Sequence, residues 1–73
     1  MITVLVVDDH ELVRTGICRM LEDQTGVEVI GQAESGEEAI AIVRQQHPQV
    51  VLLDVNMPGI GGVETTRRLS LIH

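Results

Sequence analysis

The run Val50-Val51-Leu52-Leu53-Asp54 decides the reading of this chain. Four apolar residues, two of them β-branched, form a short strand with the look of a central parallel strand buried on both faces. The strand ends on a carboxylate. Val55-Asn56-Met57-Pro58-Gly59-Ile60-Gly61-Gly62 then turns the chain away, leaving Asp54 at the strand's C-terminal tip. Ile2-Thr3-Val4-Leu5-Val6-Val7-Asp8-Asp9 repeats the plan, an apolar strand that runs into acid. Ligands of open parallel sheets bind at the carboxyl ends of strands, where the strand order reverses. Two acid-tipped strands therefore predict a pocket of three carboxylates: Asp8, Asp9 and Asp54.

Composition narrows the function classes. The 73 residues suffice for one small domain, and a chain of this length buries only about 60% of its unfolded surface. The core must be aliphatic, because no aromatic residue is present. A formal charge of −6 argues against nucleic-acid binding, which needs basic residues to neutralise phosphates; the same acidity also serves plain solubility. No apolar run approaches the ~20 residues of a membrane span, and the N-terminus lacks the basic region of a signal peptide. The lone Cys18 excludes an internal disulfide, fits a reducing compartment and reads as a bland, buried or half-buried thiol. These features predict a cytoplasmic protein.

Along the chain, residues 2–7 form the first strand. A helix from about His10 to Asp23 carries Val13, Ile17, Met20 and Leu21 at helical spacing. Gly16 within it weakens an isolated helix by about 1 kcal/mol relative to Ala, which suggests a close approach of helix to sheet. Gly26 suits a left-handed helix cap. From Val27 to Ala33, residues Val27, Val29, Gly31 and Ala33 alternate with Glu28, Ile30 and Gln32, as in a half-polar edge strand. Ser35 and Glu38 form a capping box. The helix it starts turns Ala39, Ile40 and Val43 inward and stops at His47-Pro48. A third helix is expected over about Val63 to Leu71, with Arg67 and Arg68 toward its C-terminal end.

Strand–helix units repeated three times require parallel pairing and right-handed crossovers, with helices on both faces of one sheet. The expected architecture is α/β, βαβαβα, with strand order 2-1-3. That order sets the two acid-tipped strands side by side. Three carboxylates within a few ångströms repel one another unless a cation intervenes, and Mg²⁺, or Mn²⁺, meets that need with oxygen ligation that leaves positions for a phosphoryl oxygen. An aspartate can attack phosphorus to give an acyl phosphate, and the cation neutralises the charge that develops. A plainer reading has Asp8 and Asp9 capping the first helix and Asp54 opening a turn. His10 follows the acid pair, but a hard-cation site prefers oxygen over a histidine ligand.

Val6-Val7-Asp8-Asp9-His10 and Leu53-Asp54-Val55-Asn56-Met57-Pro58-Gly59-Ile60-Gly61-Gly62 resemble the response-regulator receiver domain of bacterial two-component signalling. The likeness covers the whole chain. It is nearest to regulators of the LuxR/FixJ kind, which place the receiver before a helix-turn-helix, and among them to the GacA/UvrY-like type. The resemblance implies a partial flavodoxin-like (CheY-like) fold, with Asp54 phosphorylated by a sensor histidine kinase. It further implies Mg²⁺ held directly by Asp9, Asp54 and the backbone carbonyl of Asn56, with Asp8 acting through water. Pro58 and the Gly61-Gly62 pair would shape the neighbouring loop; Gly61 stands where many receivers carry an acid or amide and agrees with the GacA-like subgroup.

The departure from the family pattern is length. Receivers have five strands and five helices, and this sequence reads as the N-terminal part of one, truncated after the third helix. By the resemblance, the hydroxyl residue after the fourth strand, the lysine after the fifth and the DNA-binding output domain are absent. The sequence thus reads as a phosphoacceptor module, not an enzyme beyond self-catalysed phosphoryl transfer. The alternative is a non-signalling interaction or dimerisation fragment that binds the kinase or an intact regulator. A phosphatase of the haloacid-dehalogenase kind is disfavoured, because Asn56 stands where that family needs a second Asp. The uncovered edge of the Val50–Leu53 strand predicts a homodimer or higher assembly, with no membrane and no direct nucleic-acid contact.

Overall fold

The computed structural model describes residues 1–54 together with Arg67 and Arg68. Its elements run β1 (Ile2–Val7), α1 (Glu11–Glu22), β2 (Val27–Ala33), α2 (Gly36–Gln46) and β3 (Val50–Leu53). All pairings are parallel and the order is β2-β1-β3, as the chain of alternating elements requires. The expected third helix falls outside the described residues, apart from the helical backbone of exposed Arg67 and Arg68.

The strand sealed on both faces is β1, not β3. Val4 and Val6 face α1 in a cluster with Cys18, Ile17, Leu21, Val27 and Val29. Leu5 and Val7 face the other way, packing with Ala33, Ala39, Ile42, Val43, Val51 and Leu53. Both helices sit over β1 and β2. On β3, Val51 and Leu53 are half-buried toward α2, whereas Val50 and Leu52 are each 39% exposed. An all-apolar run reports only that both faces can be buried; coverage depends on what lies beside the strand. Among the described residues, β3 has a neighbour on one side alone.

β2 also departs from simple alternation. The register passes from Val4↔Val29 to Leu5↔Gly31, so Ile30 is an extra residue on this strand. Such a bulge inverts the parity of everything after it. Val27 and Val29 therefore face α1, while Ala33 faces α2. A Cβ on Gly31 would meet Ile42 and Leu5 at ordinary contact distance, 3.5 Å, on the α2 side.

Helix α1 buries Cys18 and half-buries Ile17 and Leu21, but Met20 is 70% exposed and Val13 50%. The buried stripe is thus centred between Ile17 and Cys18, rotated from the expected one. Among the described residues no atom lies within 4 Å of where a Gly16 Cβ would stand, so no close approach to them explains it. Gly26 does adopt a positive φ of 84°, yet in the turn beyond the helix rather than at its cap, which is Asp23. There its carbonyl accepts the Ile2 N–H at 2.7 Å and anchors the start of β1.

At α2, the Ser35 hydroxyl accepts the Glu38 N–H at 3.2 Å, the expected N-cap contact. Ala39 is fully buried, and Ile42 joins Val43 against the core where Ile40 was expected. The helix stops with His47 in the left-handed region at φ 51°, immediately before Pro48. Gln49 then fastens the start of β3 to β1: its N–H donates to Thr3 Oγ1 at 3.0 Å, and its Oε1 accepts the Thr3 N–H at 3.1 Å.

Candidate functional site

Parallel pairing aligns the ends of β1 and β3. The Asp8 N–H donates to the Ala33 carbonyl at 3.0 Å and the Asp54 N–H to the Val7 carbonyl at 3.1 Å. These two bonds extend the ladder one step past each strand and fix both aspartates at the same edge. Asp8 is 7% exposed, Asp9 and Asp54 are partly buried, and His10 lies at the rim. One ligand atom from each of Asp8, Asp9, His10 and Asp54 lies within 4.8 Å of the other three. The three carboxylates expected from the sequence are thus brought together, and His10 joins them.

Local bonds hold the Asp8–His10 segment. Asp8 Oδ1 accepts the His10 backbone N–H at 2.8 Å and lies 3.2 Å from its Nδ1. The side chain of Asp8 thus closes a tight turn into α1, whose N-cap is His10. Arg14 was not singled out from the sequence, yet its Nη1 donates to the Asp8 carbonyl at 2.7 Å and its Nε to Gln32 Oε1 at 3.1 Å. This cation ties the acidic turn to β2. The available signal was its place one helical turn after His10, where its own N–H donates to the His10 carbonyl at 2.9 Å.

The donor set suits a hard divalent cation. Among the described residues, Asp9 Oδ1, a buried atom of a partly exposed side chain, has no hydrogen-bond partner; His10 Nδ1 is 3.0 Å from it, within ion-pair range. A buried acceptor left in this state is costly unless something not yet counted satisfies it. Asp8, Asp9 and Asp54 together could hold such an ion. Asn56, Pro58, Gly61 and Gly62 lie outside the described residues. Beside the acids, an open groove of about 390 Å³ is lined by Val6, Val7, Asp8, Ile17, Leu52, Leu53 and Asp54.

Comparison with known proteins agrees with this geometry. The family model described as response regulator receiver domain matches residues 4–73. Response regulator GacA of Pseudomonas protegens is 64% identical over all 73 residues, which cover 34% of that relative. Response regulator UvrY of Escherichia coli K12 is 56% identical over 96% of this chain and 32% of its own length. The chain therefore spans about a third of these curated relatives. A LuxR-family response regulator from Aurantimonas sp. SI85-9A1 superposes with TM-score 0.90 at 36% identity, over 94% of this chain and 49% of that one. The response regulator domain of Thermotoga maritima CheB gives TM-score 0.94 at 31% identity, over 97% and 53%. A sheet of order 2-1-3 with acids at the tips of β1 and β3, matched over nearly its full length, leaves one assignment: the chain, similar to the corresponding parts of GacA and UvrY, belongs to the response regulator receiver domain family.

Proposed function

We propose that Asp54 is the phosphoacceptor of a two-component response regulator, charged by a sensor histidine kinase, and that the phosphorylated receiver controls transcription through a separate output domain. The observation that carries this reading is the convergence of Asp8, Asp9 and Asp54 at the aligned ends of β1 and β3. In the reaction, an Asp54 carboxylate oxygen bonds to phosphorus, the bond from phosphorus to the imidazole nitrogen of the kinase's phosphohistidine breaks (with acetyl phosphate, the bond to the acetate oxygen), and an acyl phosphate results. A cation bound by Asp9 and Asp54 supplies charge neutralisation for the transferring group. Asp8 keeps the turn into α1 in place, and Arg14 holds the Asp8 carbonyl from the α1 side.

All five basic residues of the chain are arginines. Without a lysine at the phosphoryl group, transfer is slow, since removing one electrostatic donor from such a transition state costs about 10²–10³ in rate. Incubation with acetyl phosphate and Mg²⁺, followed by intact mass, tests the assignment. Slow addition of one phosphoryl group, abolished in Asp54→Asn, is the expected result; addition that survives Asp54→Asn contradicts it.

The half-bare α1 side of β3 favours a second element of the reading, self-association. The Asp54 N–H points to β1, so by the alternation of a parallel ladder that of Leu52 does too, and the outward N–H groups are those of Val51 and Leu53. Among the described residues these edge groups face no other strand, an arrangement that folded proteins avoid. A two-fold axis normal to the sheet pairs two copies in the order 2-1-3-3′-1′-2′, gives those edge groups partners and sets Leu52 on the same face as its twin. Leu52→Lys charges that face and leaves the β1–β3 ladder intact. Light scattering behind a sizing column should report a dimer for the parent chain and a folded single chain for Leu52→Lys. A folded single-chain mass for the parent refutes the association, whereas a dimer that ignores Leu52→Lys removes β3 from it.

A further inference from the structure

Strand β1 runs into two carboxylates, and the second has little of its own to hold it. Asp9 Oδ1 has no hydrogen-bond partner among the described residues. The aim of that side chain is therefore set by the backbone that carries it, above all by the Asp8–Asp9 peptide. Both backbone groups of Asp8 are tied to β2. Its N–H donates to the Ala33 carbonyl at 3.0 Å. Its carbonyl, the oxygen of the Asp8–Asp9 peptide, accepts from Arg14 Nη1 at 2.7 Å, and Arg14 Nε donates to Gln32 Oε1 at 3.1 Å. Arg14 thus supplies from α1 the kind of donor that a neighbouring strand supplies inside the ladder.

Gln32 is within reach because of the bulge. The register pairs Val6 with Gln32, and ladder partners point to the same face, so Gln32 stands with Val6 on the α1 side. Without the extra Ile30, pairing that continued evenly from Val4↔Val29 would set Gln32 opposite Val7, on the α2 side. The planar guanidinium then spends two donors of one rigid fork on two partners, which an ammonium cannot copy.

We propose that Arg14 is a positioning residue of the acidic site: by holding the Asp8 carbonyl it fixes the peptide that aims Asp9, and Gln32, presented by the β2 bulge, holds Arg14 in turn. This rests on the reading of Asp9 and Asp54 as a cation site given above. Removing a group that orients a metal ligand costs about 10–100-fold in affinity. Plain electrostatics pulls the other way, because a cation beside three carboxylates opposes a second cation, and deleting it should tighten binding. The sign of the change separates the two.

The test is calorimetric titration of the 73-residue chain with Mg²⁺, well below the melting midpoint of each variant. Arg14→Gln should weaken Mg²⁺ by about tenfold or more. Gln32→Ala, a change at an exposed side chain, should weaken it less, and should have no effect once Arg14→Gln is present. Arg14→Lys, which keeps one donor for the carbonyl and loses the fork, should recover part of the affinity. A second measurement needs no metal: the backbone nitrogen resonance of Asp9, in the peptide that Arg14 holds, should move in Arg14→Gln and Gln32→Ala while that of Asp54 stays. Unchanged or tighter Mg²⁺ binding in Arg14→Gln overturns the proposal and leaves the cation site standing, even where the melting midpoint falls. A Gln32→Ala loss that persists without Arg14 overturns the link between the two. Should Arg14→Gln fail to fold, Gln32→Ala decides: unchanged affinity with an unmoved Asp9 resonance overturns the proposal. A parent chain that binds no Mg²⁺ overturns the cation reading and the proposal together.

Discussion

On the α2 side of the sheet, Leu5, Val7, Ala33 and Ala39 are sealed by Ile42, Val43, Val51 and Leu53. On the α1 side, Val4, Val6 and Cys18 are covered, but among the described residues the layer stops at Ile17, with a groove between it and Leu52. The same β1 strand supplies both layers, so the difference does not come from its composition. It comes from what faces β3, whose Val51 and Leu53 have partners while Val50 and Leu52 remain 39% exposed. An apolar strand next to an acidic tip is thus a requirement for the site and says little about coverage. The functional end of the sheet needs β1 and β3 only to be aligned, and the ladder secures that.

Matched truncations give the largest expected contrast between the two faces. Leu5 is fully buried on the α2 side, and Leu5→Ala should cost about 3–5 kcal/mol in transfer and cavity terms, most of the stability of so small a domain. Leu52→Ala removes a side chain already in contact with water and should cost about 1 kcal/mol or less. Chemical denaturation followed by circular dichroism measures both, at concentrations below association. Equal losses would mean that the α1 side is closed in solution.

Glycine substitutions sharpen the contrast at about 1 kcal/mol. Gly16 sits in α1 with open space where a Cβ would go, and Gly16→Ala should raise stability by up to about 1 kcal/mol through helix propensity. Gly26, at φ 84°, should respond in the opposite sense, with Gly26→Ala losing about 1–2 kcal/mol to left-handed strain. A destabilised Gly16→Ala would show α1 pressed against a surface at that point.

The smallest effect concerns Cys18, the one thiol of the α1 layer. Burial pushes its pKa up, the nearby Glu22 carboxylate adds to the rise, and Arg14 opposes it. Its folded value is raised, so the folded chain keeps a proton that the unfolded chain has lost. Its contribution is therefore present below the ordinary thiol value of about 8.5 and declines as pH climbs from there through the folded value. Melting midpoints should fall more steeply above that pH in the parent than in Cys18→Ala; parallel curves would mean the thiol reaches solvent.

Much of this architecture was legible in the residues themselves. Alternating apolar runs and helical stretches were enough for the strand order, because short connections and handedness leave few topologies. The strand tips were legible because acid follows directly on each apolar run. Ile30 was not, since a bulge is a property of the pairing between two strands and leaves Val27 to Ala33 looking regularly alternating. The rotation of α1 that buries Cys18 rather than Met20 was hidden for a similar reason: several rows of α1 are apolar, and the sheet selects among them. Arg14 escaped notice, and His10 was weighed and set aside, because their places beside the acids depend on a turn closed by Asp8.

The central claim is that Asp8, Asp9 and Asp54 form one cation-dependent site at the joined ends of β1 and β3. A Mg²⁺ titration followed residue by residue by NMR tests it most directly. The amides of Asp8, Asp9, His10 and Asp54 should shift together with a single Kd, with the Glu-rich surfaces of α1 and α2 unmoved, and Asp54→Asn should abolish the response. Shifts that follow different Kd values at the two strand tips, or that survive Asp54→Asn, would contradict it.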